Sequence, residues 1–60
     1  MDSLDQLIGI MKDDIMSAAD ETDKFNGGNK SAGTRVRKHM QNIKSLAQNI
    51  RTEVQEMKNS

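Results

Sequence analysis

Basic side chains cluster in residues 29–38, NKSAGTRVRK, where they could bind phosphate. This run holds four of the nine basic residues of the chain: Lys30, Arg35, Arg37 and Lys38. It follows Asn26-Gly27-Gly28, and glycine accepts the backbone angles that end one helix before another begins. Asn29 is then suited to be an N-cap, and the free amides of a helix's first turn attract anions. The run therefore predicts a phosphate-binding surface at the start of a helix.

The same run also has a purely structural interpretation. Gly33 removes side-chain bulk in the second turn of the helix, which would let a phosphate backbone approach closely. The same lack of bulk would let two helices of the protein pack tightly near their turn. A short basic run is, moreover, usually a solvated surface. The sequence leaves both interpretations open.

Acid–base and metal chemistry are not expected. The paired carboxylates at 13–14 and 20–21 would need a cleft to shift their pKa values, and a narrow helical protein offers none. His39 flanks an apolar series and is expected to pack at a boundary, and a single histidine cannot form a zinc site by itself. The prediction is a protein that is not an enzyme, with no catalytic residue, metal or cofactor.

Composition favours a small all-α protein that associates with itself. The 60 residues contain no Cys, Trp, Tyr or Pro and a single Phe, which argues against disulfides, thiolate metal sites, β-sheets and an aromatic core. So short a chain buries little surface, and oligomerisation is the remaining source of stability. No apolar run approaches the ~20 residues of a membrane span, and the N-terminus lacks a signal-peptide pattern. We therefore expect a soluble, cytoplasmic protein.

Apolar residues recur at alternating steps of four and three, which is the coiled-coil period. The two series are Leu4, Ile8, Met11, Ile15, Ala18, Thr22 and Phe25, and Val36, Met40, Ile43, Ala47, Ile50, Val54 and Met57. They predict one domain of residues 1–60, with a helix over about 3–25, a turn at 26–28 and a helix over about 29–58. Asp2 or Ser3 would cap the first helix. Because the connection is short, the helices should pack as an antiparallel, coiled-coil-like hairpin.

Further apolar residues widen the predicted contact surface beyond what one partner helix covers. These residues are Leu7, Ile10, Met16 and Leu46. They would be too exposed in an isolated hairpin, so they form the predicted oligomer interface. A homodimer of hairpins would be a four-helix bundle.

The net charge of zero conceals an uneven distribution of charge. Residues 1–25 carry two basic and seven acidic residues, net −5, whereas residues 26–60 carry seven basic and two acidic residues, net +5. The second helix has a basic ladder at intervals of about 10 Å, formed by Lys30, Arg37, Lys44, Arg51 and Lys58. Such a ladder could pair with the acidic residues of a neighbouring helix, or it could bind phosphates.

The string GNKSAGTRVRK and the apolar helix that follows it resemble the N-terminal helical domain of bacterial histone-like proteins, typified by the chlamydial linker-histone-like family. Those domains have a similar block of Gly, Asn, Lys, a small residue, Ala and two spaced Arg after an acidic amphipathic helix. Members of the chlamydial type continue into a long Lys/Arg-rich tail, which this sequence does not contain. The resemblance implies DNA binding and nucleoid compaction, with Lys30, Arg35, Arg37 and Lys38 as the matching basic positions.

Together these features predict a small histone-like, nucleoid-associated protein that binds DNA phosphates largely without sequence preference. The predicted contacts are Lys30, Arg35, Arg37 and Lys38, with Lys44 and Arg51 secondary. As a homodimer, such a protein could bridge or compact duplexes. Two alternatives stay open: an oligomerisation or scaffold module that pairs only with protein, and a small helical bundle that binds structured RNA.

Overall fold

A computed structural model describes residues 3–59 and shows two helices joined by a tight turn. Helix α1 spans Ser3–Asn26 and helix α2 spans Lys30–Asn59, and the described residues contain no strand. The helices lie side by side in an elongated body of 49 × 18 × 10 Å. The predicted all-α helical hairpin is thus confirmed, whereas its assembly into a four-helix bundle remains a prediction. Over residues 3–59, neither helix has an apolar stretch long enough to cross a membrane.

The turn is built from a glycine C-cap and an asparagine N-cap. Gly28 adopts the left-handed backbone conformation that glycine accepts without strain, with a φ of 107°. Its amide donates to the Phe25 carbonyl, and the amide of Asn29 donates to the Lys24 carbonyl, each at a distance of 3.0 Å. This pair of hydrogen bonds is a Schellman motif, which satisfies carbonyls at the end of α1. Asn29 then caps α2 as predicted, because its Oδ1 accepts from the Ala32 amide at 3.3 Å.

Burial within the hairpin is shallow. Ala18 and Ala32 are the only buried residues among 3–59, and none of the large side chains there is fully buried. The larger apolar side chains between the helices are half-buried: Leu4, Leu7 and Met11 on α1, and Val36, Ile43, Leu46 and Ile50 on α2. Two helices share only one contact stripe, so the hairpin cannot enclose a core of its own.

About half of the two apolar series remains exposed to solvent. The exposed members are Ile8, Ile15, Thr22, Phe25, Met40, Val54 and Met57. Helix α1 is rotated about its axis so that the residue before each of Ile8, Ile15 and Thr22 is the half-buried one. These half-buried residues are Leu7, Asp14 and Glu21. The heptad spacing therefore predicts the helices, but it does not predict which apolar residues the partner helix covers.

Among residues 3–59, hydrogen bonds between side chains join the helices along one side of the hairpin, which we call the polar side. They are Ser3–Glu53 at 2.9 Å, Asp14–His39 at 3.0 Å and Glu21–Arg35 at 2.5 Å. As the α1 position advances from Ser3 to Glu21, its partner on α2 moves back from Glu53 to Arg35, so the packing is antiparallel. Ser3 is itself helical and gives its hydroxyl to this contact, and the alternative N-cap Asp2 lies outside the described residues.

The opposite side of the hairpin is apolar. Successive side chains of a helix point about 100° apart. In two antiparallel helices, the residue that follows a contact residue therefore points toward the same side of the pair on both helices. The residues that follow the polar contacts are Ile15 after Asp14, Met40 after His39 and Val54 after Glu53. Ile8 lies one heptad before Ile15. We call the surface formed by Ile8, Ile15, Met40 and Val54 the apolar side.

Candidate nucleic-acid interface

The six predicted phosphate contacts all lie on α2, and all are exposed. The helix nevertheless spreads them around its axis, because residues two positions apart, such as Arg35 and Arg37, point about 200° apart. The structure therefore brings the ladder residues Lys30, Arg37, Lys44 and Arg51 together along one edge. It places Arg35 on the polar side.

Arg35 is engaged within the hairpin. Its Nε donates to Glu21 Oε2 at 2.5 Å, and Lys24 Nζ lies 3.5 Å from the other oxygen of the same carboxylate. The hydrogen bond from Arg35, together with the charges of Arg35 and Lys24, holds the pKa of Glu21 below its ordinary value of 4.5. The Arg35 side chain keeps 46% of its surface exposed, so a phosphate can still reach it, but only in competition with Glu21.

The basic ladder makes no ion pair with α1 in the same hairpin, as far as residues 3–59 show. Arg37 follows Val36, Lys44 follows Ile43 and Arg51 follows Ile50 along the chain. Since the preceding residues lie on the contact stripe, the ladder turns toward the apolar side, away from the acidic residues of the polar side. Its charges are therefore available to a partner that lies outside the hairpin.

Gly33 accommodates an aromatic ring of the same chain. A Cβ atom at this position would lie 2.7 Å from Cε1 and 2.8 Å from Cδ1 of Phe25. The glycine thus permits a close contact between the two helices of the same chain. This agrees with the interpretation that Gly33 serves helix packing. Phe25 remains half-exposed and borders an open groove of about 440 Å³, which is lined by Thr22, Phe25, Lys30, Gly33, Thr34, Val36 and Arg37. Sequence spacing assigned Phe25 to the contact between the helices, and the ring does lie against α2, at Gly33.

His39 joins the helices, in line with its predicted boundary position. Its Nδ1 lies 3.0 Å from Asp14 Oδ1, and its side chain is 25% exposed. A carboxylate can only accept, so this nitrogen carries the hydrogen. The contact is between neighbouring helices and borders no enclosed cleft.

Folding converts the charge division along the sequence into a charge division along the hairpin. Residues 19–39, the third of the chain that contains the turn, carry five basic and three acidic residues, net +2, and the rest of the chain carries net −2. Residues 27–39 contain four basic residues and no acid. The turn end is therefore the electropositive end of a molecule whose net charge is zero.

Comparison with known families gives one match. The model of the family described as Histone H1-like protein Hc1 matches residues 5–60, which is nearly the whole chain. This is a family of structural DNA-binding proteins and not a family of enzymes. Neither the curated proteins nor the solved structures yield a match.

Proposed function

We propose that the chain, which belongs to the Histone H1-like protein Hc1 family, binds duplex DNA through phosphate contacts at the turn end of the hairpin. The observation that supports this most directly is the run of four basic residues without an acid at the electropositive end. As a histone-like protein it would associate with the nucleoid in the cytoplasm.

The contacts are not equivalent. Lys30, Arg37 and Lys38 are exposed and make no ion pair among residues 3–59, so they would bind phosphate without giving up a partner. Arg35 would have to share its guanidinium with Glu21. Lys44 and Arg51 lie farther along the ladder and would contribute secondary contacts. We therefore rank Arg35 below the other three residues of the cluster.

Binding would be largely independent of base sequence. Phosphate contacts fix a protein on the duplex but carry no sequence information by themselves. The basic residues at the turn end are long and flexible, and they surround a helix start rather than a preformed base-reading surface. A protein of this kind recognises the charge of the backbone, and its affinity therefore falls steeply with salt.

We also propose that the protein acts as a homodimer, which would double the number of phosphate contacts and support compaction. Bridging of two duplexes would require turn ends that point apart. The predicted interface residues lie on different surfaces of the hairpin: Leu7 and Leu46 are half-buried between the helices, Ile10 is 51% exposed and Met16 is 67% exposed. Their role in association stays a prediction.

Fluorescence anisotropy with a short labelled duplex tests the DNA contact. The variant Arg37→Gln/Lys38→Gln removes two charges at the turn end, and Lys12→Gln/Lys58→Gln removes two charges elsewhere as a matched control. Each lost phosphate contact should reduce the log–log salt dependence by about 0.9, so the first variant should lose about 1.8 from the slope for each hairpin that contacts the duplex. The control should keep the slope of the unsubstituted protein.

Equal effects of the two variants would refute the turn end as the contact surface. Absence of binding at low salt, in a protein that still associates with itself, would favour the scaffold function. Competition by folded RNA at a lower concentration than by duplex DNA would favour the RNA-binding alternative.

A further inference from the structure

The apolar side leaves large side chains in water that a stable protein would be expected to cover. Ile8 is 38% exposed, Ile15 51%, Met40 45% and Val54 39%. They lie on one side of the hairpin, opposite the polar contacts, and so form one surface rather than scattered exposures. No residue of the described chain folds over them.

We propose that a second copy of the chain covers the apolar side, in a two-fold dimer whose turn ends lie at the same end. In this arrangement each α2 packs against α1 of its partner. The proposal rests on the homodimer that forms part of the proposed function, and adds which surface is buried and how the copies are oriented.

The exposed area of the hairpin matches what such a dimer would bury. The chain has a mass of 6.7 kDa and an accessible surface of 4700 Å². A compact monomer of this mass exposes about 3,900 Å², so the hairpin exposes about 800 Å² more than expected. A standard protein interface buries about 800 Å² on each partner. A second copy that buried this standard area on each partner would therefore remove an area equal to the excess.

Charge selects the orientation of the two copies. Helix α1 carries two basic and six acidic residues, net −4, and α2 carries seven basic and two acidic residues, net +5. With both turns at the same end, every neighbouring pair of helices in the bundle combines one α1 with one α2. With the turns at opposite ends, each α2 would lie beside the α2 of the partner, and the basic ladders bordering the apolar side would face each other. The first arrangement pairs opposite charges, and the second pairs like charges.

The α1 border of the apolar side also argues for a protein partner over an anionic lipid surface. Ala19 and Lys12 lie beside Ile8 and Ile15, with Asp5 and Asp23 one further step around the helix. The α1 border thus carries two acidic residues and one basic residue, and the α2 border carries the basic ladder. This combination of charges suits a second copy of the same hairpin. An anionic membrane would attract one border and repel the other.

The arrangement has a consequence for DNA binding. Both electropositive turn ends would lie side by side and form one basic surface with twice the charge of a single hairpin. Such a dimer would contact one stretch of duplex with both copies. Bridging of separate duplexes would then require association of dimers, because a single dimer would present DNA contacts at one end only.

Two methionines allow a matched test of the surface. Met40→Gln changes the apolar side, and Met16→Gln makes the same chemical change at a residue of the interface predicted from sequence, which lies outside the apolar side. Sedimentation equilibrium should show a dimer whose dissociation constant rises roughly 10- to 100-fold with Met40→Gln and less than about threefold with Met16→Gln. Because loss of the dimer could also unfold the hairpin, the concentration dependence of the melting temperature of the unsubstituted chain is a second measure of association. A monomer at all concentrations, or a dimer sensitive to Met16→Gln instead, would overturn the proposal.

Spin labels test the orientation without disturbing the apolar side. The chain has no cysteine, so Asn26→Cys places a single label at each turn. Helices pack about 8–10 Å apart, so turns at the same end should give a distance below about 30 Å. Turns at opposite ends would give a separation close to the 49 Å length of the hairpin. A label at Ser45→Cys, near the middle of α2, should give similar distances in both arrangements and serves as the control.

A long distance between turns would refute the orientation and leave the dimer intact. DNA binding is measured separately, so a dimer of the proposed geometry that fails to bind DNA would refute the proposed function and not this inference.

Discussion

Substitution of Gly33 by alanine should change the stability of the protein through two effects of opposite sign. In a helix interior, alanine is favoured over glycine by about 1 kcal/mol. The added Cβ would lie 2.7 Å from the Phe25 ring, however, so the ring must move. Gly9 also lies within a helix, and a Cβ there would meet nothing within 4 Å. Gly9→Ala is therefore a control that contains the first effect without the second.

The cost of displacing the ring can be approximated from its burial. Phe25 is 50% exposed, and a fully buried aromatic side chain covers about 200 Å². Complete loss of the covered half, about 100 Å² at about 25 cal/mol per Å², would cost about 2.5 kcal/mol. We expect Gly9→Ala to stabilise the protein by about 1 kcal/mol. The change in stability caused by Gly33→Ala should be about 1–2.5 kcal/mol less favourable than that of Gly9→Ala, so this substitution should be neutral or destabilising.

Urea denaturation followed by circular dichroism, at one fixed protein concentration, measures both values. The double-mutant cycle with Phe25→Ala isolates the ring, because Gly33→Ala should become stabilising once the ring is absent. If Gly33→Ala stabilised the original protein as much as Gly9→Ala does, the ring would not pack over Gly33 as described, and the reasoning would be wrong.

Two further predictions concern the turn and the ion pair beside it. Gly28→Ala should destabilise the hairpin by about 1–2 kcal/mol, because an L-residue at a φ of 107° is strained. Gly27→Ala is the control and should cost less, because its Cβ would meet only ordinary contacts at 3.5 Å. Equal losses of melting temperature in the two variants would show that the Schellman motif is unimportant. Because the folded pKa of Glu21 is below 4.5, the stability that this carboxylate contributes is present above pH 4.5 and is lost as the pH falls through the folded pKa. The difference in melting temperature between the original protein and Glu21→Gln should therefore be constant above about pH 5 and shrink in more acidic solution. A difference that does not depend on pH would contradict the ion pair with Arg35.

Local sequence signals predicted the hairpin well because they act over a few residues. Glycine at 27–28 accepts the backbone angles of the turn, and Asn29 supplies a side-chain oxygen within reach of the first free amides. The alternating steps of four and three place apolar residues on one face of each helix. These effects need no information about distant parts of the chain, and they are sufficient for two helices that fold back on each other.

The candidate site was predictable only in part. The sequence located the basic cluster, and the structure keeps all of its members exposed. The sequence alone could not show that Arg35 faces Glu21 on α1 while Arg37 faces the other side of the hairpin. The partner of Arg35 is 14 residues away, and the contact depends on how the two helices are rotated.

The sequence by itself therefore determined the two helices, the turn, the heptad periods and the total charge of each helix. Tertiary structure decided the rotation of each helix about its own axis. The apolar arc of α1 is wider than one partner helix can cover, so several rotations satisfy the same spacing. The observed rotation puts Leu7 and Asp14 toward α2 and leaves Ile8 and Ile15 in water. By the same rotation the basic ladder turns away from the acidic residues of the polar side, and Phe25 covers Gly33.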